Sequence, residues 1–247
     1  MLSLLMSLLA CCALAFGGSQ KLTYDLTLDG KHVGQRELTV RTIPSSSGEV
    51  RILESFTELT VSVAGQSYQL KNRATLKAGG TPGFTSNIEE NGKLREVQGR
   101  MLPDRRWLVT VTEAGQVKTW TLRASEITLS SLDLLDPVRH ALLLNGASAN
   151  LLVAETGGIS AGAVEDLGEG ALTVGGVEVM VRRAAFTPDT GRMELSWSSD
   201  GLLLAYETRV LGKAVKAVVT EVPAPLTFGT VETDALQVGG AVNEEAL

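Results

Sequence analysis

Residues whose types favour metal binding or nucleophilic catalysis are few in this chain. Its 247 residues include two histidines, His32 and His140, and two cysteines, Cys11 and Cys12. A metal site normally draws on several histidine, cysteine or carboxylate ligands at close spacing. Neither histidine stands in such a group, so we predict no metal site and no cofactor. A polar contact at a turn or at a helix end is the simpler interpretation of each histidine.

Acidic residues provide the other catalytic candidates. The pairs Glu89-Glu90 and Glu165-Asp166 are of the type that glycosidases use. Neighbours on a strand point to opposite faces, so neither pair forms a two-carboxylate site by itself. Asp136 and His140 are the one visible seed of a hydrolase site, which would have to be completed by distant residues. We therefore predict no catalytic residues and no enzyme, and keep a hydrolase as the last alternative.

The two cysteines lie within Met1–Phe16, an apolar leader that contains no charged side chain. The leader is shorter than the ~20 apolar residues that a spanning helix needs, and it predicts an export signal. Ala13-Leu14-Ala15 fits a signal-peptidase site, which makes residues 1–15 a signal peptide. Leu8-Leu9-Ala10-Cys11 resembles a lipobox instead, with a signal over 1–10 and lipidation of Cys11. A retained apolar N-terminus is the third alternative.

Export predicts a location in the periplasm or the outer cell envelope, either soluble or held by a lipid anchor. No later apolar run approaches membrane length, so no span is expected after processing. The chain carries 28 acidic and 22 basic residues, a net charge of −6, and aromatic residues make up 4% of it. Nucleic-acid binding usually requires a basic patch with interleaved aromatic residues, so that class of partner is excluded.

Alternation with a period of two dominates the chain after the leader. Leu22, Tyr24, Leu26 and Leu28 alternate with polar residues, which is typical of a strand with one buried face. Turn pairs such as Asp29-Gly30 and Asn91-Gly92 separate further runs of this kind. The pattern predicts a first antiparallel meander over residues 21–124.

The middle of the chain interrupts the strands. Asp136 is suited to a helix N-cap, Pro137 to the first helical position, and Asn145-Gly146 to a stop, which predicts a helix over 131–145. A second meander follows over 149–222, and residues 230–247 form a polar, loosely held tail. The prediction is a single β-rich domain over 21–229: a curved antiparallel sheet or partly open barrel of two meanders with one short helix in the middle.

Trp197 has a large apolar side chain and is the strongest candidate for ligand contact in the sequence. It alternates inward with Met193 and Leu195, and a core position is one interpretation. The other is that Trp197, Leu204 and Tyr206 line an apolar groove on the concave face of the sheet.

Several of these segments resemble a family of uncharacterised exported bacterial proteins, the domain of unknown function numbered thirty-one-zero-eight. The resemblance rests on Tyr24–Gly34, on Leu135-Asp136-Pro137 before the short helix, on the hairpin Thr173–Val181 and on Trp197-Ser198-Ser199-Asp200. The sequence departs from the family at Gly201 and at Arg139-His140. The resemblance implies a β-rich exported protein without an assigned activity.

Three functions therefore compete. The first is a non-catalytic protein of the cell envelope that binds an apolar ligand, such as a lipid or an acyl chain, on its curved sheet. The second is a structural or protein-interaction module that uses exposed strand edges. The third is the hydrolase described above.

Overall fold

The computed structural model of the protein describes residues 18–45, 48–189 and 191–223. The predicted leader with Cys11 and the predicted tail over 230–247 lie outside the described residues. Within the described ranges, no helix is long and apolar enough to cross a membrane.

Fifteen strands form one sheet. The first eight are joined by short turns into a meander. They are β1 Ser19–Leu28, β2 Lys31–Ser45, β3 Gly48–Val63, β4 Gln66–Ala78, β5 Gly83–Glu90, β6 Lys93–Met101, β7 Arg106–Glu113 and β8 Gln116–Arg123. The others are β9 Leu129–Ser130, β10 Ser148–Leu152, β11 Ile159–Val174, β12 Val177–Pro188, β13 Met193–Trp197, β14 Leu203–Val210 and β15 Lys213–Val219.

The two meanders meet at the ends of the described chain. In spatial order the sheet runs from β8 back to β1, then from β15 back to β9, and β1 pairs antiparallel with β15. Strands β8 and β9 are the two edges of this curved, open sheet. The predicted fold class, a curved antiparallel sheet with one short helix in the middle, is thereby confirmed.

Alternation along each strand places the apolar side chains on the concave face. Tyr24 of β1 pairs with Arg36 of β2, and the register continues through Thr57 and Asn72 to Ile88 and the strands beyond. Side chains in one such row share a face of the sheet. The concave face holds the core, which includes Leu22, Leu38, Leu53, Leu76, Val97, Val109, Ala184, Leu195 and Ala217.

The middle segment differs in detail from the predicted continuous helix. It consists of a 3-10 helix over Ser131–Leu135 and a four-residue helix, α1, over Ala141–Leu144. Asp136 between them has extended backbone angles, φ −82° and ψ 119°. The proline ring of Pro137 disfavours the helical conformation for the residue before it, which explains the break. Ser130 caps the first piece in a capping box with Asp133.

This helical segment closes one end of the curved sheet. Leu132, Leu134, Leu135 and Leu143 are buried there, and the indole Nε1 of Trp197 donates to the Leu134 carbonyl at 3.3 Å. Arg51 of β3 donates through Nε to both carboxylate oxygens of Asp136 at 3.0 Å. The Asp136 side chain also accepts from the backbone N–H of Val138 at 2.9 Å, so it caps the following turn much as the sequence predicts.

Strand β11 is much longer than its sequence pattern suggests. The alternation predicts a strand only over 171–174, whereas β11 begins at Ile159. Gly162, Gly168 and Gly170 leave positions without side chains along this strand, and the register shifts between Asp166 and Gly168. The missing side chains hide the period-two pattern.

Candidate functional site

The end of the sheet opposite the helical segment, which we call the open end, has a concave face that is only partly covered. Several apolar side chains of this face remain half-buried here, beside others, such as Val61 and Val215, that are fully buried. They come from strands throughout the sheet: Leu28, Val63, Leu70, Val111, Trp120 and Val210. Apolar surface on an inward face that stays accessible is a feature of ligand sites.

A pocket of about 330 Å³ lies at this open end. Trp120 and Val111 form its apolar part, and its polar lining comes from Arg95, Glu113, Gln116, Lys118 and Thr156. Its volume falls at the lower end of the range for small-molecule sites, which is about 300–1,000 Å³. The pocket lies where the edge strand β8 faces the turn that joins β10 to β11.

That turn, residues 153–158, crosses the concave face and brings one carboxylate into it. Glu155 accepts hydrogen bonds from Asn72 Nδ2 at 3.4 Å and from Ser131 Oγ at 3.2 Å. Gly157 of the same turn lies against β7 and β8, since a Cβ added to it would stand 2.6 Å from Val109 and 3.0 Å from Trp120. Side-chain packing therefore holds the turn against the edge of the sheet.

Arg95 connects the turn to the rim of the pocket. Its Nη1 donates to the Glu155 carbonyl at 3.5 Å, and its Nη2 lies 2.9 Å from the Glu113 carboxylate. Glu90 lies 3.9 Å from the same guanidinium. Burial, with Glu90 as hydrogen-bond partner, raises the pKa of the half-buried Tyr68 phenol to about 12, so this phenol remains neutral at physiological pH.

Deeper in the concave face, Arg36 is surrounded by hydroxyl groups. Its Nε donates to Ser55 Oγ at 2.9 Å and its Nη1 donates to Tyr206 Oη at 3.2 Å. The guanidinium carbon also lies 5.6 Å from the centroid of the Tyr206 ring. Tyr24, 6.0 Å from Tyr206 between ring centroids, donates its hydroxyl to the Leu203 carbonyl at 2.7 Å. Burial raises the pKa of Tyr24, so its phenol stays neutral.

Two of the three residues of the predicted groove belong to the core, and the third packs against it. Trp197 and Leu204 are fully buried, and Tyr206 alone of the three is partly exposed, beside Arg36. In this structure Trp197 is therefore a core residue. The ligand groove of Trp197, Leu204 and Tyr206 stays a prediction. The sequence does not identify Trp120 or Arg36 as candidate site residues, because no local pattern marks them.

Asp136 and His140, the two residues of the predicted hydrolase seed, both contact residues of the sheet. Both oxygens of Asp136 accept from Arg51, and the His140 ring lies 5.3 Å from the Trp197 ring. Partial burial lowers the pKa of His140, although the backbone oxygens of Pro137 and Asp136 act in the opposite direction. A segment of the form Gly-x-Ser-x-Gly occurs at 158–162. Its Ser160 lies within β11 and not at a strand-to-helix turn, where such a nucleophile is exposed.

The remaining candidates occupy the surface. His32 at the first hairpin turn contacts Asp25 at 2.5 Å between Nδ1 and Oδ1, and both side chains are exposed. Glu165 and Asp166 pair with Arg192 and Arg182, respectively. No group of three or more histidine, cysteine or acidic residues suited to a metal occurs within the part of the chain that the structure describes.

A larger concavity, about 1,120 Å³, is open to solvent and lies mainly on the outer face. Lys71, Arg73, Glu89 and Glu96 contribute to its lining. Such a mixed, charged lining is typical of a solvated surface, so we place the candidate site at the open end.

The fold and the concave face together define a β-rich, barrel-like protein with a partly polar interior. No protein-family model matches the sequence, and no curated protein sequence matches it. Among solved structures, it resembles the crystal structure of a beta-barrel-like protein of domain of unknown function DUF1849 from Brucella abortus. The TM-score is 0.58 at 15% sequence identity, and the match covers 82% of this chain and 96% of that one.

At this identity the likeness shows the fold alone. It supports a β-rich fold of a kind found in domains of unknown function. The specific family named above, and its Tyr-Asp start as a family signature, find no support in these comparisons.

Proposed function

We propose that this protein is an exported, non-catalytic binding protein of the cell envelope that takes an apolar ligand, such as an acyl chain, at the open end. The observation that carries the proposal is the pocket of about 330 Å³ on the concave face, with Trp120 and Val111 in its lining. The leader of Met1–Phe16 supports export, and the solved structure of similar fold is itself without a stated activity.

The energetic argument concerns half-buried apolar surface. Each methylene group that a ligand buries contributes about 0.8 kcal/mol. Leu70, Val111 and Trp120 stay partly exposed on an otherwise buried face, so a chain laid against them removes apolar surface from both partners. A ligand of about five buried methylenes gains about 4 kcal/mol on this scale, before the cost of its immobilisation.

The test is binding of dodecanol, a neutral chain, measured by displacement of a fluorescent hydrophobic probe from the purified protein. Val111→Asp is expected to weaken binding because it places a charge in the apolar lining. Val117→Asp, on the exposed face of the neighbouring strand, is the matched control and is expected to bind as the unaltered protein does. Native mass spectrometry of gently purified protein adds a second measurement.

The proposal fails if dodecanol does not displace the probe and no lipid co-purifies with the protein. It also fails if Val111→Asp, with a melting temperature equal to that of Val117→Asp, binds dodecanol unchanged.

The edge strands favour a second candidate, a protein-interaction module. Strand β8 pairs only with β7, and its other edge has no main-chain partner among the described residues. An unpaired edge of eight residues can accept an additional strand from a partner. Thr121→Pro on β8 removes one backbone donor. Cross-linking in intact cells that recovers a partner with the unaltered chain and loses it with this variant would support the module; recovery of the monomer alone would count against it.

A further inference from the structure

We infer that the ligand carries an anionic head group, a carboxylate, which binds to Arg36 inside the curved sheet. The inference rests on the proposed function and deepens it, because it assigns the chemical class of the ligand and the residue that recognises it. An amphipathic molecule with a carboxylate head and an apolar chain matches both parts of the site.

The first argument is the number of donors that Arg36 leaves open. A guanidinium has five N–H donors. Within the described residues, the Nε donor goes to Ser55 and an Nη1 donor to Tyr206, while Nη2 has no protein acceptor. The Arg36 residue is partly buried on the inner face of the sheet. Adjacent N–H groups of a guanidinium suit a planar carboxylate in bidentate geometry.

The second argument is charge. Among the described residues, no carboxylate lies within 4.0 Å of the Arg36 guanidinium, although it faces the interior. Arg95 and Arg51, by contrast, each have an acidic partner, Glu113 and Asp136. Charges on an inward face are normally paired, and the neighbours of Arg36 are neutral hydroxyl groups. A ligand carboxylate would complete the pair.

Glu155 is the acidic group that acts on Arg36 from a distance. Its carboxylate is engaged elsewhere, with Asn72 on one oxygen and Ser131 on the other. It therefore stabilises the charge of Arg36 without occupying the open donors. For the same reason it repels an incoming anion, so its removal is expected to favour the bound carboxylate.

The third argument is position. Pairing across the strands places Arg36 in one row with Asn72, Arg95 and Glu113 on the concave face. Two members of this row, Arg95 and Glu113, also line the pocket of the open end. Arg36 therefore shares a cross-strand row with two residues of the pocket lining and lies four strands away from Arg95. A head group at Arg36 leaves its chain on the face that holds Leu70 and Val111.

The experiment compares three ligands of equal chain length at pH 8: dodecanoate, dodecyl phosphate and dodecanol. The unaltered protein is expected to bind dodecanoate about tenfold or more tightly than dodecanol, because a charge-assisted pair is worth at least about that factor. Arg36→Gln is expected to abolish the preference and to keep dodecanol binding. Glu155→Gln is expected to increase the preference for dodecanoate.

Arg73→Gln is the matched control, since Arg73 lies over Phe56 on the outer face, 5.7 Å from the ring centroid. It is expected to keep the preference in full. Where Arg36→Gln lowers the melting temperature, Arg36→Lys and Tyr206→Phe test the same point, and each is expected to reduce the preference partially.

Equal binding of dodecanoate and dodecanol overturns the inference and leaves the proposed function intact. A preference that survives Arg36→Gln likewise overturns it. Tighter binding of dodecyl phosphate than of dodecanoate replaces the carboxylate with a phosphate head and overturns the assignment of ligand class. Failure of all three to bind overturns the proposed function together with the inference.

Discussion

Asp136 is fully buried and joins the helical segment to the sheet through Arg51, whose side chain is 13% exposed. Removing one partner of a buried pair leaves the other charge without compensation. Asp136→Asn is therefore expected to lower the free energy of unfolding by about 3 kcal/mol, measured by urea denaturation. Glu37→Gln removes an exposed pair with Lys21 and is expected to cost less than about 1 kcal/mol. Equal losses would contradict a structural role for Asp136.

His140 provides a prediction about pH. Burial lowers its pKa below the ordinary value of 6.5, so the unfolded chain binds the proton more readily than the folded one. The stability that His140 contributes is present above about pH 6.5 and is lost as the pH falls through the lowered folded value.

Urea denaturation between pH 7.5 and pH 5 tests this point. His140→Gln is expected to lose less stability on acidification than the unaltered chain does. The chain has two histidines, so the comparison is repeated in a His32→Gln background, where His140 is the one that remains. Identical pH dependence with and without His140 would refute the prediction.

At the scale of elements, the turn over 153–158 positions both Glu155 and the pocket. Gly157 has a φ of +71°, and a Cβ there would meet Val109 at 2.6 Å. Gly157→Ala is expected to destabilise the protein by about 2–3 kcal/mol, from backbone strain and overpacking together, and to weaken ligand binding. Gly115→Ala has a similar φ of +77° but open space around it.

The control Gly115→Ala is expected to show the strain alone, about 1 kcal/mol, with binding unchanged. Thermal unfolding and probe displacement measure the two effects. A Gly157→Ala variant as stable as Gly115→Ala would mean that the turn does not pack against β7 and β8 as described.

The sequence predicts some strands and turns better than others. The pair Asn91-Gly92 predicts a tight hairpin, and both residues have positive φ, 49° and 77°, between β5 and β6. Such a turn depends on neighbours in sequence alone. For β11 the alternation predicts only the last four residues, because the glycines of this strand remove the pattern from which a strand is recognised.

For the whole molecule, the order of the strands predicts a gradient of stability. Strands β1 and β15 lie in the middle of the sheet, whereas β8 is an edge. Backbone amides of an edge strand open more easily than those of a central one. Hydrogen exchange with mass spectrometry is expected to show faster exchange for residues 116–123 than for 19–28. Equal protection of the two peptides would indicate that another segment covers β8.

The candidate site could not be predicted from the sequence, because its residues are brought together only by the pairing of distant strands. Arg36 and Tyr206 are 170 residues apart, and their contact depends on β1 pairing with β15. Nothing in the local pattern of either strand specifies that pairing. The sequence pattern predicts a strand over 150–155 that ends at Glu155, whereas β10 ends at Leu152. Only the packing of the following turn across the sheet brings Glu155 to Asn72 and Ser131.

What the sequence by itself determined is local: the period-two alternation, the turn residues and the capping role of Asp136. These features depend on backbone geometry and on neighbouring side chains, so they can be read residue by residue. The tertiary structure decided which strands meet, which end the helical segment closes, and that Arg36 faces the interior among hydroxyl groups. Those outcomes depend on contacts between residues that are far apart in the sequence. The burial of each side chain and the pairing of each strand depend on how the whole sheet assembles.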